Sequence, residues 1–381
     1  MSRQVLNATD GPRTEGATLC QSDAMAPAAG GTRDVVTLPK AHLHLHFTGS
    51  MRIETLADLA AGHGIRLPEA LTDHWPPQLH ATDERGWFRF QRLYDLARSC
   101  VRGEDDMRRV VREAAEDDAA EGSRWLELQV EPSSYAPFVG GVTPALEIVL
   151  DEAAAASSTT GIGVAVVVAA SRIRHPLDAR TLARLAVRYA GDQPGTVVGF
   201  GLSNDERRGA LPDFSPAFEI ARRGHLALVP HGGELLGPAS VVDTLTVLRP
   251  DRVGHGVRAA EDPAALDRVA QSGVTLEVCP GSNVSLGVYT DATQVPLRRL
   301  VDAGIPVALG ADDPLLFGTR LADQYASARH DLGFSDLELA DLARQSIVGS
   351  RAPGALRTAA LSAVDRWLAG ARDPDTGVVT S

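Results

Sequence analysis

The stretch GVAVVVAAS, residues 163–171, is apolar or small at every position. A half-buried strand alternates apolar and polar residues, and an amphipathic helix repeats every three or four. This run does neither, and its valines favour extended backbone. A strand apolar on both faces belongs in a parallel sheet covered on both sides. Seven further runs share its character: 35–47, 125–132, 197–203, 226–234, 251–256, 274–280 and 305–314. Amphipathic segments such as 104–121, 178–190, 214–223, 262–272 and 296–303 lie between them, and helical patterns at 335–348 and 354–369 follow. Eight strands alternating with helices predict an α/β fold, a (β/α)8 TIM barrel. The long insert 52–124 between the first two strands reads as mostly helical, a cap over the barrel mouth. Residues 34–370 are expected to form one barrel domain, with a disordered tail at 1–33 and a short tail at 371–381.

The chain has 381 residues, 44% hydrophobic and 23% charged, with a net charge of −12. That charge argues against nucleic acid as a partner and leaves a small-molecule substrate. No apolar run reaches the roughly 18 residues of a membrane span. Cys20, Cys100 and Cys279 are far apart and odd in number, which speaks against a disulfide framework and for a reducing, cytoplasmic setting. Lys40 is the only lysine.

A barrel of this kind carries its chemistry at the C-terminal ends of its strands. The first run ends in HLHLHFTG, residues 42–49, whose period-two spacing would send His42, His44 and His46 to one face. The fourth ends near Ser203, Asn204, Asp205 and Glu206, the fifth in His231 and Glu234, and the sixth in His255. The seventh ends in Cys279, Ser282 and Asn283, and the eighth in Asp312 and Asp313. Closing the barrel brings the HxH pair, a further histidine and an aspartate to one point. Three imidazoles and a carboxylate suit zinc. Two-metal barrels of this type commonly carry a carbamylated lysine on the fourth strand. VVGFGLS (197–203) has no lysine, so one zinc ion is expected. Glu234 is placed to donate a proton from a buried carboxyl, and His255 to orient or deprotonate the metal's water. Of Asp312 and Asp313, one is expected to bind the metal and the other to address substrate.

LPKAHLHLHFTGS (38–50), PHGGE (230–234), RVGHG (252–256), EVCPGSN (277–283) and GADDPLLFG (310–318) together resemble the adenosine deaminase family, within the metal-dependent amidohydrolase superfamily. The resemblance implies His44, His46, His231 and Asp312 as zinc ligands, with His42 standing where the family usually has Glu. It implies Glu234 as the donor to N1 of a 6-aminopurine, and His255 as assisting the activated water in its attack on C6. Asp313 would hydrogen-bond N7 and must then carry a proton, because N7 is an acceptor. The product would be a 6-oxopurine plus ammonia.

Two departures bear on substrate. Thr48 replaces the family's usual Asp, which contacts the ribose 5′-hydroxyl. Asn204 replaces a Gly whose backbone N–H meets purine N3. A neutral residue near the 5′ position suits a purine nucleoside substituted there. The family includes such an enzyme, the aminodeoxyfutalosine deaminase of the futalosine route to menaquinone. Arg172, Arg174, Arg207 and Arg208 follow the third and fourth strands and are candidates to meet an anionic 5′ extension. Adenine deamination, or action on another ring, is the alternative reading.

Overall fold

The computed structural model of the protein describes residues 32–370. Cys20, the tail 371–381 and nearly all of the 1–33 tail lie outside them. Eight parallel strands follow one another around the sheet in chain order. They are β1 Lys40–His46, β2 Ser123–Val130, β3 Gly163–Ser171, β4 Val197–Ser203, β5 Ala227–Gly232, β6 Arg252–His255, β7 Thr275–Val278 and β8 Val307–Leu309. The GVAVVVAAS run, β3, is buried at every residue. Beyond β8, Leu45 bridges to Asp312 and brings the ends of the sheet together. There His46 N donates to Asp312 O (3.0 Å) and Asp312 N donates to His44 O (3.0 Å). The seam of the barrel is thus made by residues expected to bind the metal.

The first strand departs from strict alternation. Between His42 and Leu45 it advances three residues while β2 advances two, an inserted residue of the β-bulge type. The bulge changes the face that His42 presents. Its Nδ1 pairs with Asp118 (2.9 Å), and its Nε2 accepts from Ala311 N (3.0 Å). The expectation that all three histidines share one face therefore fails for His42, while His44 and His46 turn into the site.

The insert contains helices α1 (Ile53–Gly62), α2 (Glu84–Ser99) and α3 (Glu104–Ala120). Asp83 caps α2 by accepting from Gly86 N. Only part of the insert covers the mouth. Along α3, Arg108 pairs with Asp151 and Arg112 with Glu152, so α3 lies beside the helix Val142–Thr160 in the outer ring. It is the return helix from β1 to β2, and α2 is the cap. At the opposite end, the Lys40 ammonium donates to the carbonyls of Val35, Leu38 and Glu121, a structural use of the only lysine. Cys100 and Cys279 are buried and free. Among the described residues no helix is long and apolar enough to cross a membrane.

Candidate active site and metal centre

The site lies where the C-terminal ends of the strands meet α2. Ligand atoms of His44, His46 and His231 lie within 4.8 Å of one another. Asp312 Oδ1 is 3.6 Å from His44 Nε2 and 3.2 Å from His46 Nε2. His46 Nε2 and His231 Nε2 are 3.2 Å apart. Gly254, the glycine of RVGHG, makes room for this cluster: a Cβ there would stand 2.8 Å from His44 Cε1 and 3.1 Å from His231 Nδ1. His44 Nε2 is buried and has no hydrogen-bond partner. A buried imidazole nitrogen without a partner is costly unless something occupies it. Nitrogen donors with one carboxylate are what a divalent transition ion takes. The residues present therefore fit a metal.

His44 is oriented from behind. Its Nδ1 meets Glu277 Oε2 (2.8 Å), whose other oxygen accepts from Arg252 Nε (2.6 Å). Arg252 also bonds Glu127 and the Gly349 carbonyl. Burial opposes charge on His44, but Asp312 and Glu277 on either side raise its pKa to about 10. Burial alone would raise Asp312, yet contact with His44 and His46 holds it well below the usual carboxylate range. The pocket is built to hold positive charge at that point.

The remaining groups take complementary protonation states. Burial, reinforced by the Asp312 and Glu206 charges, pushes the Glu234 carboxyl well above the carboxylate range. Burial and the adjoining Asp312 do the same to Asp313. Burial pushes His255 down to about 3 despite Asp312, leaving a neutral imidazole. His255 Nε2 stands 3.7 Å from Glu234 and 3.9 Å from Asp312. Two acids able to donate and a neutral base thus surround one point, a pairing suited to hydrolysis.

Backbone strain gathers here. His255 (φ 63°), Asp312 (φ 63°) and Asn204 (φ 77°) all hold the left-handed conformation without being glycine. Asn204 sits in a glycine-like conformation, with its own Oδ1 accepting from Asp205 N (2.7 Å). Its backbone therefore keeps the shape that a glycine would have at this position, and it lines the cavity.

The strand ends and α2 enclose a cavity over the cluster. Its lining includes His46, His231, Glu234, His255, Asp312 and Asp313. Thr48 is absent from the lining; its hydroxyl is hydrogen-bonded to the Tyr135 hydroxyl at 2.5 Å. None of the four arginines singled out in the sequence lines it either. Arg172 donates to the His231 carbonyl, Arg174 pairs with Glu131, Arg207 with Asp205 and Arg208 with Glu84. The arginine in the lining is Arg98, from α2, beside Glu131. It arrives with Trp87, Phe90, Gln91 and Tyr94. Sequence reasoning missed these five, although their spacing is one face of a helix.

The adenosine deaminase family model matches residues 39–367. A Streptomyces virginiae protein named "Putative adenosine/adenine deaminase" is 63% identical over 338 residues, covering 89% of this chain and 99% of its own. The adenine deaminase of Sinorhizobium medicae is 36% identical over 310 residues, covering 81% and 93%. Among solved structures, an adenine deaminase from Arthrobacter aurescens superposes with a TM-score of 0.79 at 27% identity, covering 87% of this chain and 99% of that one. With the barrel, the convergent donors and these likenesses in agreement, the chain belongs to the adenosine deaminase family, a family of hydrolytic deaminases.

Proposed function

We propose that the protein removes the 6-amino group of a purine nucleoside using one zinc ion. The observation that carries this reading is the convergence of His44, His46, His231 and Asp312 beside Glu234, His255 and Asp313. Those four residues would hold the ion. When bound, it supplies Lewis-acid activation of a water for attack at neutral pH. Glu234 delivers a proton to N1, which makes C6 electrophilic. His255, neutral at working pH, takes the proton that the attacking water sheds and passes it to the 6-amino group, which leaves as ammonia as the C6–N bond breaks, while the proton of the new C6 hydroxyl returns to Glu234. Asp313 donates to N7 and fixes the ring plane. Trp87 and Phe90 supply apolar surface in the cavity wall.

The substrate proposed is an adenine nucleoside carrying an extension at C5′, as in aminodeoxyfutalosine. Two features support this choice. Thr48 is neutral where the resemblance leads one to expect Asp, and its hydroxyl is already committed to Tyr135. Arg98 offers a cation in the cavity wall. Free adenine is the second reading, favoured by the 36% identity to an enzyme named adenine deaminase.

Glu234→Gln tests the chemistry. The variant should keep its zinc and lose about 10²–10⁴ in kcat, the usual worth of a general acid. Near-wild-type turnover would remove Glu234 from its role.

A further inference from the structure

Glu206 follows β4 and is 4% exposed, yet it lies outside the cavity lining. Its carboxylate reaches across to the loop after β5, which carries Glu234. Oε1 accepts from Gly233 N (2.6 Å) and from the Ser240 hydroxyl. Oε2 accepts from Glu234 N (3.1 Å), Leu235 N (2.8 Å) and Leu236 N (2.8 Å). Four consecutive backbone donors and a hydroxyl thus converge on one side chain. Such a run of N–H groups is a ready-made anion site, and here the protein's own carboxylate fills it.

Carbonyls of the end of β5 and of this loop are held as well. Arg172 donates to His231 O, and Arg258 Nη1 donates to Leu235 O (2.6 Å). Gly233, at φ +70°, cannot take a side chain: a Cβ would stand 2.2 Å from Val241 Cγ2. Glu206 supplies the acceptor for each of the loop's N–H groups from 233 to 236.

We infer that Glu206 is a positioning residue for the reaction: it fixes the backbone that aims the Glu234 carboxyl at the substrate ring. This rests on the reading of Glu234 as the proton donor. Glutamine at 206 would turn an amide N–H₂ toward donors and free the loop to shift. A displacement near 1 Å at a reacting group costs on the order of 10²-fold in rate.

The test is a double-mutant cycle on the zinc-loaded enzyme, read as kcat and KM, with zinc content and unfolding midpoint measured on each variant. Glu206→Gln should lower kcat by about 10²-fold while KM changes less than about threefold and one zinc is retained. Glu206→Asp, which keeps the carboxylate, should recover at least about tenfold of that loss. In the Glu234→Gln background, Glu206→Gln should cost no more than about threefold further, because the group it positions is already gone. A Glu206→Gln enzyme within about threefold of wild type, or a full additive loss in the double variant, would overturn the positioning role alone. Fast turnover by Glu234→Gln by itself would overturn the proton-donor reading and this inference with it.

Discussion

Glu277→Gln probes how far the metal site depends on what stands behind it. Glu277 is fully buried, with His44 Nδ1 at 2.8 Å on one oxygen and Arg252 Nε at 2.6 Å on the other. Glutamine preserves the volume but can accept with only one of its two terminal atoms. If its oxygen serves Arg252, its amide faces His44, and the imidazole loses the partner that keeps Nε2 turned toward Asp312. Carboxylates behind a metal-binding histidine are typically worth 10–100-fold in affinity, about 1.4–2.7 kcal/mol. Stability should fall as well. Unpairing a buried ion pair outright costs about 3–5 kcal/mol, but Arg252 keeps Glu127 and the Gly349 carbonyl, so about 2–3 kcal/mol is expected. Competition with a chromophoric chelator gives the first quantity, and urea unfolding of the metal-free protein gives the second. Zinc affinity within about twofold of wild type would refute the orienting role, even if stability dropped.

Two further perturbations separate structure from chemistry. His42→Ala should retain one zinc per chain while losing about 2–4 kcal/mol of stability, since Asp118 and the Ala311 N–H both lose their partner; zinc loss, measured by atomic emission, would mean the ligand assignment is wrong. Glu338 is held down to about 2 by Arg298 and by the Ser335 backbone, from an ordinary value of 4.5. A depressed carboxylate stabilises the fold above its unfolded pKa and loses that contribution as pH falls through the folded one. Urea unfolding should therefore show stability falling between pH 4.5 and 2, with a shallower fall in Glu338→Gln; equal slopes would remove Glu338 from the account.

Much of this was legible in the chain itself. The eight apolar runs became eight strands because burial on both faces leaves a signal that needs no partner to be read. His46, His231, Glu234, His255, Asp312 and Asp313 met in one cavity because barrel closure dictates where strand ends go, whereas Thr48, Cys279, Ser282 and Asn283 stand outside its lining. What the sequence could not convey depended on direction. HLHLH looks like one stripe until a bulge turns His42 toward Asp118. Arginines 172, 174, 207 and 208 follow the correct strands, but a side chain that long takes its nearest carboxylate or carbonyl, and the cavity's arginine came from α2 instead. An amphipathic helix shows that it has an apolar face, not which feature of the barrel that face will meet. Glu206 looked like one polar residue among several after β4; its meaning lies in backbone donors nearly 30 positions away.

We propose deamination of a 6-aminopurine nucleoside extended at C5′. Its most direct test is a side-by-side kcat/KM comparison of aminodeoxyfutalosine, adenosine, 2′-deoxyadenosine and adenine on zinc-quantified enzyme, followed by ammonia release. Turnover should have its highest kcat/KM with aminodeoxyfutalosine. A preference for adenine would move the assignment to the free base, and no ammonia from any of the four would contradict the account.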